Sequence, residues 1–185
     1  MFEVEMKFPL VDVDAFVRQL ETEGATPGGS VSQCDQYFNH PERDFENTDE
    51  AFRVRTIGDQ HLVTYKGPVV DAQTKTRREI EVSLAGSEAG AKVKEIVVAL
   101  GFRPVREVWK VRRTWHIDWQ GRQFEIAVDD VHGLGQFAEF ETQADEADRP
   151  AAVAAILDLV SRFRLPPAQR KSYLCLLLEK DREIP

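Results

Sequence analysis

The sequence predicts a mostly antiparallel α+β domain, and three observations carry that reading. Strand-like runs that alternate apolar with charged residues outnumber the helical segments. Several of those runs are joined by connections too short for a parallel crossover. No repeat, low-complexity tract or long linker divides the 185 residues, so a single domain over 1–185 is expected.

Taken in order, Phe2–Phe8 reads as a strand, with Glu3, Glu5 and Lys7 on one face and Phe2, Val4, Met6 and Phe8 on the other. Val11–Gly24 reads as a helix capped by Asp12 or Asp14 and stopped by Gly24. Gly28–Ser30 and the segment from His40 to Glu50 read as loops. Ala51–Ile57, His61–Lys66 and Thr76–Leu84 follow as strands, with Asp71–Thr74 as a loop between the last two. Ser87–Gly101 repeats the helical grammar, with Ser87 as cap and Gly101 as stop. Val105–Trp119, Arg122–Val128 and Phe137–Thr142 are further strands, and Gly133 and Gly135 read as turn residues. Asp148–Phe163 is a helix with proline in its first turn, where the missing N–H costs least. After Pro166–Pro167, a final helix is expected from Ala168 to Lys180, packed along the body through residues such as Tyr173.

Composition narrows the function. Hydrophobic residues at 42% and charged residues at 30% describe a globular chain with a sizeable core. A net charge of −8 argues against a nucleic-acid polymer or an anionic membrane as partner, since either needs a positive field. Any bound anion must therefore sit in a local positive pocket. Cys34 and Cys175 have neither metal spacing nor a disulfide framework. With no signal peptide and no apolar stretch of spanning length, a reduced, cytoplasmic protein is expected.

The charged faces recur from strand to strand. Arg53 and Arg55 share a face, as do Thr64 and Lys66, then Lys75, Arg77, Glu79 and Glu81. Lys110, Arg112, Thr114 and His116 oppose Trp109, Val111, Trp115 and Ile117. Glu125 and Asp129 share a side, and so do Glu139 and Glu141 with Phe137. A merely solvated face tolerates loose mixtures of Ser, Thr, Gln and Lys. Here Arg and Glu recur at two-residue spacing. If the sheet curls closed with these faces inward, the lumen is nearly neutral but densely ionic. Burying so many charges costs several kcal/mol per ion, roughly, so such a lumen is wet and built for a ligand. Clustered Arg and Lys recognise phosphate oxygens, and clustered carboxylates hold a hard divalent cation that bridges phosphates.

Glu3-x-Glu5-x-Lys7 resembles the N-terminal signature of the CYTH, or triphosphate tunnel metalloenzyme, superfamily. CDQYFNHPERDFENTDEAFRVR, VTYKGP, TKTRREIEV, VWKVRR, VDDVHGLGQFAEFE and RKSYL resemble further family blocks, in family order over nearly the whole chain. Phe52 and Val128 stand where leucine is usual. The resemblance implies a closed eight-stranded antiparallel β-barrel, a tunnel with charged lumen and flanking helices. The Asp35–Arg55 stretch, KGP and LG-x-F are similar to class IV adenylyl cyclases and their near relatives.

By that resemblance, Glu5 and Glu139 are first choices as ligands of Mg²⁺ or Mn²⁺, assisted by Glu3 and Glu141. Lys7, Arg53, Lys66, Lys110 and Arg112 are assigned to the triphosphate, with Arg55 and Arg77 as second contributors. Glu79, Glu81 and Asp129 either pair with these cations or work on metal and substrate. Lys7, Lys110 and Arg112 join Glu5 and Glu139 as catalytic candidates. The expected activity is conversion of ATP to cyclic AMP and pyrophosphate. The alternatives are a hydrolase of thiamine, inorganic or nucleoside triphosphate and a non-catalytic triphosphate binder. A homodimer is left open.

Overall fold

In a computed structural model of the chain, residues 1–71 and 73–183 are described. Ala72, in the loop expected at Asp71–Thr74, and the last two residues of the expected domain, Ile184 and Pro185, lie outside the described residues. The elements run β1 (Phe2–Pro9), α1 (Val13–Thr22), β2 (Thr26–Asn39), α2 (Phe45–Thr48), β3 (Ala51–Ile57), β4 (Gln60–Lys66) and β5 (Arg77–Leu84). There follow α3 (Ala89–Ala99), β6 (Arg103–Trp119), β7 (Arg122–Val131), β8 (Gly135–Ala144), α4 (Arg149–Ser161) and α5 (Tyr173–Glu183).

The eight strands close in the order β1-β5-β4-β3-β2-β6-β7-β8, every neighbour antiparallel. Closure abolishes most of the edge that an open sheet must protect. The junctions are unequal. β1 pairs with β8 from Phe2↔Ala144 to Pro9↔Phe137, but with β5 only at Phe2↔Arg78 and Glu3↔Arg77.

The strand least visible in sequence is β2, because Gly28–Ser30, expected as a loop, lies inside it. A register shift between Pro27 and Gly29 marks a bulge, which bends the strand without ending its pairing to β6. A Cβ at Gly28 would stand 2.6 Å from His116 Nε2 and 2.7 Å from Thr114 Oγ1, so only glycine fits there. The loop from His40 to Glu50 holds the short α2, capped where Asp44 accepts the N–H of Glu46 at 3.2 Å. The last helix starts at Tyr173 rather than Ala168. Ser172 Oγ accepts the Cys175 N–H at 3.1 Å as its cap, and Gln169 donates its N–H to the Lys7 carbonyl at 2.7 Å, which holds the preceding segment on β1.

The apolar faces point outward, beneath helices over much of the barrel, while Ile80 and Val82 of β5 and Trp109 and Val111 of β6 stay exposed. α1 and α4 cover β1, β6, β7 and β8 through Phe16, Leu20, Ile156 and Leu159 against Val4, Phe8, Ile126 and Phe140. Phe140, wholly buried, meets Phe8, Phe16 and Phe163 edge-on at 6.0, 6.1 and 5.3 Å. α3 sets Val97 against Phe38 and Val54. α5 sets Tyr173 and Leu177 over Tyr37, Val108 and Phe137 at one end of the barrel. With its greasy side turned outward, the barrel has only its charged side left to face the interior.

Candidate functional site

The barrel interior is a cavity of about 950 Å³, and it gathers the charged faces of separate strands onto one surface. Glu3, Glu5 and Lys7 come from β1; Arg53 and Arg55 from β3; Lys66 from β4. Arg77, Glu79 and Glu81 come from β5, Lys110 and Arg112 from β6, Glu139 and Glu141 from β8. Lys75, just before β5, and Glu125 of β7 also line it. Asp129 is fully buried beside this lining. The two-residue period seen in sequence is thus one inward face, carried round the barrel by register.

Within the cavity the ions sort into groups. Asp129 accepts hydrogen bonds from Lys110 Nζ at 2.9 Å, Arg112 Nε at 2.8 Å and the Tyr173 hydroxyl at 3.1 Å. Burial alone would raise its pKa, but Lys110 and Arg112 override it and hold the carboxyl below the usual range. Lys110, buried beside the Arg112 guanidinium, is pushed down to about 8. Arg112 also donates to Glu139, and Lys7 Nζ lies 3.9 Å from the same carboxylate. Glu139, expected with Glu5 as a first-choice ligand, therefore turns its carboxylate to cations. Lys66 grips Glu3 at 2.5 and 2.6 Å and Glu79 at 2.9 Å. Glu81 accepts from the Thr64 hydroxyl at 2.7 Å.

A second anchor was not read from the sequence. Asp35 of β2 accepts from Arg55 Nε at 2.6 Å, Arg55 Nη2 at 2.8 Å and Arg53 Nη1 at 3.2 Å. Against the effect of burial, Arg53 and Arg55 keep it far below the ordinary carboxylate range. Gln33 and Tyr37 share its face and line the cavity. The signal was present as polar residues at positions 33, 35 and 37, but Gln36 on the opposite face blurs the period. Tyr173, expected either to pack with the last helix or, with Arg170 and Lys171, to close one end of the tunnel, lines the cavity, and its ring lies 4.3 Å from Lys7 Nζ and 5.2 Å from Lys110 Nζ.

Three acids also cluster, although Lys66 holds Glu3. Carboxylate oxygens of Glu3, Glu5 and Glu141 lie within 4.8 Å of one another. Burial, then the Glu3, Glu139 and Glu5 charges, push Glu141 up to about 8, although Arg112 Nη1 lies 3.8 Å away. Three hard oxygen donors that repel one another fit Mg²⁺ or Mn²⁺, because a divalent ion removes the repulsion while accepting the oxygens. Donors remain on the cationic side: among the described residues, buried Arg53 Nε and Arg77 Nε have no hydrogen-bond partner, with the Glu3 carboxylate 3.9 Å from Arg77 Nε. The cavity therefore offers, side by side, a group suited to a divalent ion and donors suited to anionic oxygens.

Comparisons with known proteins bear out the barrel fold and give the family. Residues 1–173 match the CYTH domain family. A proposed adenylate cyclase of Methanocaldococcus jannaschii is 36% identical over 177 residues, covering 94% of this chain and 97% of the relative. The adenylate cyclase CyaB of Aeromonas hydrophila is 29% identical over 172 residues, covering 91% of this chain and 83% of the relative. Among solved structures, the PH1819 protein of Pyrococcus horikoshii superposes with a TM-score of 0.84 at 35% identity, over 96% of this chain and 99% of that one. A proposed adenylyl cyclase of Hippeastrum with a dominant triphosphatase activity shares the fold, with a TM-score of 0.65 at 14% identity over 97% of this chain and 95% of that one. The chain belongs to the CYTH domain family.

Proposed function

We propose that the protein is a metal-dependent enzyme acting on a triphosphate, and that it converts ATP to cyclic AMP and pyrophosphate. One observation carries this: Glu3, Glu5 and Glu141 form a carboxylate group in the same cavity as the cations of β1, β3, β4, β5 and β6. A triphosphate brings about four negative charges, and a divalent ion offsets part of them. Walls of either sign alone would fit one member of that pair and repel the other. Mixed walls fit both.

Each group then has a task. Arg53 and Arg77 direct their spare Nε donors at phosphate oxygens, while Asp35 keeps Arg53 and Arg55 in place. Lys7, Lys66, Lys110 and Arg112 spread positive charge along the chain of phosphates and stabilise the charge that builds on departing pyrophosphate. Asp129 and Glu139 hold Lys110 and Arg112 at fixed angles. Mg²⁺ or Mn²⁺ would be held by Glu3, Glu5 and Glu141, supplying Lewis-acid polarisation of phosphoryl oxygens. In the reaction, the ribose 3′ oxygen bonds to the α-phosphorus, the bond from that phosphorus to the β-bridging oxygen breaks, and the hydroxyl proton is released.

The test is incubation of purified protein with ATP and Mg²⁺ or Mn²⁺. Cyclic AMP and pyrophosphate in equal amounts support the cyclase; orthophosphate without cyclic AMP replaces it with a hydrolase. That second reading is favoured by one feature: the charged lining grips phosphates and does not by itself select which phosphorus is attacked. A scan over ATP, GTP, thiamine triphosphate and tripolyphosphate separates the hydrolases from one another.

A further inference from the structure

The organic end of the ligand can be placed from the shape of the cavity and one unpartnered amide, an argument that rests on the triphosphate reading. Tyr173 and Phe137 fill the barrel interior under α5: both are buried, their rings lie 5.1 Å apart, and the tyrosine hydroxyl is tied to Asp129. At the opposite end the cavity reaches the exposed β6–β7 turn, where Gln120, Gly121 and Gln123 line it beyond His116 and Glu125; this end is taken as the entrance. The β2–β6 wall changes character from that entrance inward. Val31, Thr114 and His116, nearer the entrance, carry neither carboxylate nor ammonium nor guanidinium. Gly28 lets the Thr114 and His116 side chains lie against the β2 backbone. Beyond Thr114 and His116 come Arg112, paired with Val31, then Lys110 and Asp35 with its two arginines.

Gln33 stands one inward-facing position beyond Val31 on β2, past the Val31–Arg112 pair. It pairs with Lys110 in the β2–β6 register, is 5% exposed, and its Oε1 has no hydrogen-bond partner among the described residues. Its cationic neighbours already have carboxylate partners: Lys110 donates to Asp129, and Arg55 donates twice to Asp35. A buried acceptor left alone is costly until a donor reaches it. Ionised phosphate oxygens only accept, so the triphosphate itself cannot meet this need. A hydroxyl on the attached organic group can.

We propose that Gln33 is a specificity-determining residue: it accepts a hydrogen bond from a hydroxyl on the organic group, selecting hydroxylated esters such as nucleoside triphosphates over bare tripolyphosphate. The phosphates then lie inward, toward Tyr173, and the organic group lies along Val31, Thr114 and His116.

Calorimetric titration in EDTA, which prevents turnover, tests this with ATP, 2′,3′-dideoxy-ATP and tripolyphosphate as probes. The unaltered protein is expected to prefer ATP over the dideoxy compound by about tenfold, the weight of one hydrogen bond in a buried site. Gln33→Met removes that preference and leaves tripolyphosphate affinity unchanged. Gln33→Glu, which keeps an acceptor, restores the preference while weakening all three probes through its charge. Thermal melting of each variant confirms folding. Equal loss of ATP and tripolyphosphate in Gln33→Met means that the amide donates to phosphate, and overturns the inference alone. An unchanged preference overturns it too. Failure of the unaltered protein to bind any of the three, both in EDTA and with Mn²⁺ added, removes the triphosphate reading, and this inference with it.

Discussion

Replacing Lys75 by methionine should make the protein more stable and a poorer ligand binder, with a pH signature that identifies the cause. Lys75 lines the cavity and is 6% exposed. Burial outweighs the favourable field of Glu5 and pushes its ammonium from 10.5 down to about 8. That drop corresponds to about 3 kcal/mol of cost for holding the charge in the native state. Below pH 8 the ammonium is charged in both folded and unfolded chains, so the whole cost is felt. Between pH 8 and 10.5 the unfolded chain binds more protons, and native stability gains as pH rises. Above 10.5 both states are neutral and the cost is gone. In urea unfolding at pH 7, Lys75→Met should thus gain up to about 3 kcal/mol over the unaltered protein. The gain should shrink steadily from pH 8 to pH 10.5. Tripolyphosphate affinity, measured in parallel at pH 7, should fall, because the methyl thioether offers no charge to the phosphates. A stability difference independent of pH, or a loss of stability at pH 7, refutes the reasoning.

Three further outcomes follow from contacts already described. Glu141→Gln should weaken Mn²⁺ binding by about tenfold or more in calorimetry, since one of three hard donors loses its charge. Asp35→Asn should destabilise by about 3–5 kcal/mol in urea unfolding, because Arg53 and Arg55 keep their charges and lose their anion. Tyr173→Phe removes one hydrogen bond to Asp129 and should cost about 1 kcal/mol, with a larger loss pointing to displacement of α5.

The sequence exposed the inversion of the barrel because a strand's period is insensitive to its neighbours. Glu3, Glu5 and Lys7 alternate with Val4 and Phe8 whether or not the sheet closes, and the structure places the first set in the cavity and the second under helices. The same logic fails where the backbone departs from a simple strand. The bulge at Pro27–Gly29 disguised the start of β2, and with it went the reading of Gln33 and Tyr37 as cavity residues and of Asp35 as the anchor of Arg53 and Arg55. Pairing among ions was also out of reach. Alternation puts Glu139 and Glu141 on one face, but only register and packing give Glu139 to Arg112 and leave Glu141 with Glu3 and Glu5. Tyr173 illustrates a third limit: an aromatic on an amphipathic helix reads as packing, and its hydroxyl on Asp129 becomes visible only once α5 has a place.

The seam between β1 and β5 has a consequence for how ligand and scaffold communicate. Two register pairs and the bond from the Lys75 N–H to the Glu5 carbonyl, at 2.9 Å, join the first strand to the segment some seventy residues later. Glu3 and Glu5 stand on one lip, and Lys75 and Arg77 on the other. Anything that engages both lips staples the thinnest stitch in the cylinder, so occupancy and closure strengthen each other by mass action. Amide hydrogen exchange along this suture should slow on loading more than it does at the broad β6–β7 junction.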